Sequence, residues 1–256
     1  MRFASLIFLL ALGANIGRGQ AAAFVAKFAA ENGLPMVQIA PGEFTMGDRD
    51  DGPPHSVTIS RPFFLGATNV TQAQWTAVMG YNPSSFKGDT LPVESVSWDD
   101  AISYCKKLTE RERAAGRLPP GWEFTLPTEA QWEYACRAGT TGDFAGDLDA
   151  MAWYAKNSGG TPHPVGTKQP NAWGLYDMHG NVAEWCADWY DSYPSGSITD
   201  PAGPASGALR VNRGGSWLVT EEFCRSAARW RNPHQFRDHF LGFRLALSSS
   251  RSIQTP

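Results

Sequence analysis

RGGSWLVTEEFC, residues 213–224, is the stretch that decides how this chain is interpreted. A glycine pair leads into Ser216 and Trp217, and a cysteine, Cys224, stands seven residues after the tryptophan. This composition is typical of the mouth of a redox site, yet the stretch holds a single thiol. The sequence therefore poses a choice between an enzyme and a fold that has kept its scaffold and lost the chemistry.

The bulk composition indicates one loop-rich globular domain. The chain has 256 residues, of which 42% are hydrophobic, with 26 glycines, 18 prolines and 10 tryptophans. That length suits a single sizeable core behind a targeting segment better than two domains. The net charge of −3 and the absence of a basic run argue against nucleic acid or an anionic membrane as a partner.

The first 23 residues have the pattern of a secretory signal peptide. Arg2 is basic, residues 4–13 are apolar, and residues 21–23 are small. The alternative is an anchor helix, but Asn15 and Arg18 interrupt the apolar run well short of a span. We therefore expect an exported protein, periplasmic or extracellular, with no membrane span after cleavage.

The rest of the chain divides into a linker, a domain and a tail, over residues 24–35, 36–248 and 249–256. Apolar alternation on both sides of a Pro-Gly pair at 41–42 predicts a hairpin, and short strands follow it. Three helix starts share a cap residue with a polar partner three places on. These pairs are Thr71 with Gln74, Ser97 with Asp100, and Thr128 with Gln131.

The four cysteines have no motif spacing of their own. Cys105 and Cys136 fall on apolar faces of predicted helices, which favours buried thiols or structural half-cystines over catalysis. In an exported protein, four cysteines permit disulfides, but three complete pairings are open. We expect Cys186 and Cys224 to lie within bridging distance, and Cys105 and Cys136 to lie near each other.

Five motifs in a fixed order carry a family resemblance. They are GEFTMGD (42–48), LPTEAQWEYACRAG (126–139), GLYDMHGNVAEW (174–185), RGGSW (213–217) and LGFRL (241–245). Together they resemble the formylglycine-generating enzyme, or sulfatase-modifying factor, family over nearly the whole mature chain. The resemblance implies an α+β fold, irregular and loop-rich, which is a variant of the C-type lectin fold.

The resemblance also implies a calcium loop. Its ligands would be the carboxylates of Asp177 and Glu184 and the carbonyl groups of Gly180 and Val182, an all-oxygen set of the kind calcium prefers. The alternative is that the two carboxylates only cap backbone N–H groups of the loop. No histidine spacing indicates a zinc or iron site.

Catalytic members of the family hold copper(I) with two cysteines after the GGS motif. Counted forward from Ser216, this chain has Val219 at the first position and Cys224 at the second. Two thiolates hold copper(I) well and one holds it poorly, so copper is not expected. Counted backward from residues 227–229, Cys224 instead falls on the next strand, as a shifted structural cysteine.

The family's structural cysteines are also incomplete. In animal-type members, the cysteines resembling Cys105 and Cys136 are bridged to the C-terminal strands. At the matching positions this chain has Leu245 and Ser226. The resemblance therefore implies that neither of those bridges forms here.

The favoured function is an exported, non-catalytic module that binds a protein or small-molecule ligand. The alternatives are oxidation of a sulfatase cysteine to formylglycine, a siderophore-tailoring type of enzyme on the same fold, and a structural subunit. The only catalytic candidates are Cys224 and Ser216. A ligand pocket is expected around Trp185, Ser216, Trp217, Arg225 and Arg229. The tryptophans could line it, the serine could hydrogen-bond the ligand, and the arginines could bind an anion.

Overall fold

The computed structural model describes residues 34–249 and shows an irregular α+β fold with short elements. The predicted signal peptide and nearly all of the predicted linker and tail lie outside the described residues. The strands are β1 (Met36–Ile39), β2 (Gly42–Asp48), β3 (Gly52–Ile59), β4 (Phe63–Gly66), β5 (Trp122–Thr125), β6 (Ala183–Trp189), β7 (Ile198–Thr199), β8 (Arg210–Arg213), β9 (Arg229–Asn232), β10 (Leu241–Gly242) and β11 (Ala246–Ser249). The helices are α1 (Gln72–Met79), α2 (Trp98–Ala114), α3 (Glu129–Arg137) and the single turn α4 (Leu148–Met151).

The strands form three small sheets. One has the order β1-β4-β11-β5 and brings the two ends of the described chain together. The second has the order β10-β6-β8-β9, with β9 as an edge strand. The third consists of β2, β3 and β7. The predicted hairpin at residues 41–42 is wrong, because β1 pairs with β4 while β2 pairs with β3. The apolar alternation is present, but β1 and β2 belong to different sheets.

The predicted helix starts are all confirmed as capping boxes. At Thr71, Ser97 and Thr128 the cap oxygen accepts from the backbone N–H three residues on. The side chain of that third residue accepts in return from the backbone N–H of the cap residue. Each cap satisfies donors that a helix start otherwise leaves open, at about 1 kcal/mol per cap. Local sequence alone therefore fixes where these helices begin.

Aromatic packing holds α1 and α2 on the first sheet. Trp75 and Tyr104 stack with ring centroids 5.4 Å apart, and Phe243 packs edge-on against both rings. All three side chains are buried in one core cluster. No helix among residues 34–249 combines the length and the apolar character that a bilayer crossing requires.

Buried ion pairs tie α3 to the second sheet. Arg213 on β8 and Arg137 on α3 both bond the carboxylate of Glu133. Arg229 on β9 makes a bidentate pair with Glu129, at 2.6 and 2.8 Å. We call these five residues the α3 ion network. Removing one partner of such a pair would leave a buried charge uncompensated and would strongly destabilise the fold.

Candidate functional site

The segment 214–224 begins with two glycines in a backbone conformation that favours glycine. Gly214 and Gly215 have φ angles of 95° and 68°, in the left-handed region. A Cβ on Gly215 would lie 2.6 Å from Cys224 Sγ and 2.8 Å from Phe223 O. The glycine pair therefore allows the chain to fold back on itself, so that its two ends are in contact.

Cys224 belongs to a small buried cluster, and the partly buried Val219 packs against that cluster. The cluster also contains Leu148, Ala152 and Tyr154. Cys224 is fully buried, and burial raises the pKa of its thiol to about 12. A metal binds the thiolate and not the thiol, so a metal would have to displace this proton on binding. Val219 adds an isopropyl group without a lone pair.

The backward count for Cys224 is corrected by the structure. Cys224 ends a 3-10 turn, Glu221–Cys224, and does not lie on β9, which begins at Arg229. Ser226 instead is the residue that meets Cys136, with Sγ and Oγ 3.6 Å apart. A serine therefore occupies the place next to Cys136 that the family resemblance assigned to a bridging cysteine. Likewise, Cys105 shares its core cluster with Leu245.

The expected cysteine pairs are also corrected. All four cysteines lie in the described part of the chain, and each is a buried free thiol. Cys186 and Cys224 belong to different core clusters, and so do Cys105 and Cys136. Which cysteines come close depends on the core cluster that each helix or strand faces. The local sequence does not contain that information.

His179 is a buried residue that the sequence analysis missed. Its Nδ1 lies 2.7 Å from Cys224 O, and its Nε2 lies 3.1 Å from the Ala145 backbone nitrogen. An N–H donor faces Nε2 and a carbonyl faces Nδ1, so the neutral Nδ1–H tautomer satisfies both contacts. Burial lowers its pKa to about 4. His179 thus fixes the 3-10 turn as a neutral hydrogen-bonding residue.

The five residues of the expected pocket do not form one pocket. Trp185 is fully buried in the core, where its Nε1 donates to Val96 O at 3.0 Å. Ser216 is also buried, and its Oγ accepts a hydrogen bond from the Leu218 backbone N–H at 3.3 Å. Trp217 packs against Phe86 and His239 on one side of the segment.

The two arginines of that set do lie together, at the other end of the segment. Arg225 bonds Asp51 at 2.6 Å and Asp48 at 3.3 Å, in the turn between β2 and β3. Arg225 and Arg229 line one surface cleft of about 520 Å³. We call it the arginine cleft, and its lining residues are Asp50, Asp51, Glu222, Phe223, Arg225, Ala228, Arg229, Trp230 and Arg231.

Of the predicted calcium ligands, Glu184 is bound by other side chains in this structure, and Asp177 is not fully satisfied. Each carboxylate oxygen of Glu184 accepts two hydrogen bonds, at 2.6 to 2.7 Å. Two of the four bonds come from the guanidinium of Arg244, one from Asn69 and one from Trp132. Its four lone-pair directions are thereby used. Asp177 keeps one buried oxygen, Oδ1, without a partner among the described residues. Water can complete the six to eight oxygen ligands that calcium takes, so the calcium site stays a prediction.

Comparison with known proteins identifies the family. The model of the sulfatase-modifying factor enzyme 1-like domain matches residues 21–249. The chain belongs to the sulfatase-modifying factor family. The mouse formylglycine-generating enzyme is 35% identical over 214 residues, which cover 75% of this chain and 53% of the mouse protein. This chain therefore spans about half the length of that relative.

Two further relatives come from bacteria. The chaperone protein LppX of Paenibacillus barcinonensis is 34% identical over 210 residues, covering 64% of this chain and 71% of that protein. The solved structure of Treponema denticola variable protein 1 superposes with a TM-score of 0.78 at 36% identity, over 83% of this chain and 94% of that one. The irregular α+β architecture of this sulfatase-modifying factor family member is thus shared with a solved relative.

Proposed function

We propose that this family member is an exported binding module that does not oxidise sulfatase cysteines. The observation that carries the proposal is that Val219 packs, partly buried, against the cluster that contains Cys224. The forward count assigns the two copper-binding positions to these residues. Val219 has no ligand atom, and one thiol alone holds copper(I) poorly. Burial also raises the pKa of the Cys224 thiol to about 12, so copper would have to displace its proton.

Neither Cys186 nor Cys136 is placed to supply the missing thiol. Cys186 is fully buried in the middle of β6, and its backbone oxygen accepts from Trp98 Nε1 at 2.8 Å. Moving its side chain to Val219 would require β6 to leave its sheet. Cys136 is equally buried beside Ser226 and His179. A rearranged copper pair is therefore not supported by the packing of this chain.

The arginine cleft supports a binding function. It joins exposed aromatic rings and charged groups from strand β9 and from two surface turns, while the α3 ion network beside it is buried. Loops on a rigid base are the usual location of binding residues. Export rests on the signal-peptide pattern of residues 1–23. It is tested by N-terminal sequencing of the protein from the exported fraction.

A copper(I) titration tests the central part of the proposal. Purified protein and the variants Cys224→Ser and Val219→Cys are titrated against a colorimetric copper(I) chelator. We expect the wild type and Cys224→Ser to compete equally poorly. We expect Val219→Cys to compete better, because two thiols would then share one cluster. A wild-type copper site that Cys224→Ser abolishes would contradict the proposal.

A further inference from the structure

The arginine cleft runs along the open edge of strand β9. Arg229, Trp230 and Arg231 are consecutive residues of this strand, and all three line the cleft. Successive side chains of a strand point to opposite faces of the sheet. A single cleft lined by three consecutive residues must therefore lie beside the edge of the strand.

The backbone of β9 is paired on one side. Its residues pair with β8, from Arg229 opposite Arg213 to Asn232 opposite Arg210. Within the described chain, β9 makes no backbone–backbone hydrogen bond outside that ladder. Trp230 and Arg231 are both exposed. An edge of this kind presents N–H and C=O groups to which another extended chain can bond.

The charges of the cleft leave one cation available. Arg229 is neutralised by Glu129, and Arg225 by Asp48 and Asp51. Arg231 has no carboxylate partner among residues 34–249, and its guanidinium lies 4.4 Å from the centre of the Tyr190 ring. A guanidinium held over a ring keeps its N–H donors for an outside carboxylate.

Two exposed rings border the same edge. Phe223 and Trp230 are 38% and 40% exposed and pack edge-to-face with centroids 5.1 Å apart. Large exposed rings of this kind are enriched where proteins bind other proteins. The remaining acidic groups, Asp50 and Glu222, come from the turns that form the rest of the cleft. They disfavour a uniformly acidic ligand.

We propose that an extended segment of a partner protein adds to β9 as a new strand, with an apolar residue on Trp230 and a single acidic residue paired to Arg231. This inference rests on the binding function proposed above and names its ligand class. The open backbone edge favours a peptide, because its N–H and C=O groups match those of the strand.

Three synthetic heptapeptides test the proposal by fluorescence anisotropy. The first alternates threonine and valine around one central glutamate, and the second carries lysine in place of the glutamate. The third keeps the glutamate but is N-methylated at alternate backbone nitrogens. We expect the glutamate peptide to bind about fivefold more tightly than the lysine peptide, as for an exposed ion pair. N-methylation should weaken binding about tenfold, through lost backbone hydrogen bonds.

Two protein variants complete the experiment. Arg231→Glu should reverse the preference, so that the lysine peptide becomes the tighter ligand. Lys107→Glu makes the same charge change at an exposed site on α2 and should leave the preference unchanged. Thermal melts check that both variants fold. The proposal is overturned if no peptide binds at millimolar concentration, if N-methylation has no effect, or if Arg231→Glu preserves the preference. None of these outcomes touches the copper titration, so the two proposals fail separately.

Discussion

The α3 ion network and the segment 214–224 differ in almost every respect. The network is buried and built from paired charges. The segment contains two large exposed apolar side chains, Leu218 and Phe223. Four of the five network residues stand in family motifs, whereas Val219, at a position that the resemblance assigns to a copper ligand, stands outside them. The contrast indicates that the family motifs of this chain specify a scaffold, and that its chemistry is set by a few residues outside them.

Breaking a buried ion pair of the scaffold should have the largest effect. Glu184 carries the bidentate pair with Arg244, and both side chains are fully buried. Replacing Glu184 by Ala leaves the guanidinium without its charge partner. We expect the free energy of unfolding to fall by about 3–5 kcal/mol, measured by urea denaturation. Glu221→Ala, at an exposed position, is the control. A loss below about 1 kcal/mol at Glu184 would show that the pair is not structural.

Adding a Cβ at Gly215, near the start of the segment 214–224, should cause the next largest loss of stability. Gly215 and Gly116 have nearly the same φ, 68° and 66°, but a Cβ meets nothing within 4 Å at Gly116. Alanine at either position incurs the backbone strain, of about 1 kcal/mol. Alanine at Gly215 must also displace Cys224 and Phe223, which adds about 1–3 kcal/mol. Equal losses for the two variants in thermal melts would mean that the segment does not pack as described.

The stability of the protein should depend on pH through the buried carboxyl group of Asp188. Burial, with the charge of Glu129 nearby, raises the pKa of Asp188 from 3.8 to about 7. Its contribution to stability is therefore fully present below pH 3.8 and is lost as the pH rises through 7. Asp188→Asn removes that loss. We expect the variant to gain at least about 1 kcal/mol relative to the wild type between pH 5 and pH 8.

The control for this experiment is Asp191→Asn, at an exposed carboxylate three residues along. It should follow the wild-type stability profile at every pH. If the difference between Asp188→Asn and the wild type were independent of pH, the buried carboxyl group would not titrate in this range.

The smallest expected effect is that of a reductant. All four cysteines are free, and burial raises the pKa of the Cys136 thiol to about 12. A disulfide would contribute about 2–4 kcal/mol. We therefore expect the melting temperature to be unchanged by dithiothreitol, and thiol titration to find four reactive groups per chain only after unfolding. Fewer than four groups in the unfolded, unreduced protein would reveal a bridge.

The sequence predicted the local features of the scaffold well. The caps at Thr71, Ser97 and Thr128 were readable because cap and partner lie within one turn of each other. The family and the fold class followed from five ordered motifs. The hairpin at residues 41–42 failed because strand pairing joins residues far apart in sequence, such as Val37 and Leu65.

The candidate site was only partly readable, for the same reason. Arg225 and Arg229 share a cleft, but their partners Asp51 and Glu129 are distant in sequence. The calcium site stays a prediction, and the local sequence does not show that Arg244, sixty residues further on, bonds Glu184. Trp230 and Arg231 were missed because nothing in the local sequence shows that β9 is an edge strand.

The most direct test of the central claim is a turnover assay. Purified protein is incubated with copper, reductant, oxygen and a sulfatase-type cysteine peptide, and the aldehyde product is measured by mass spectrometry. Our account predicts no more aldehyde than the Cys224→Ala control produces, because Val219 supplies no copper ligand. Aldehyde clearly above that control would contradict it and would make this chain an oxidase.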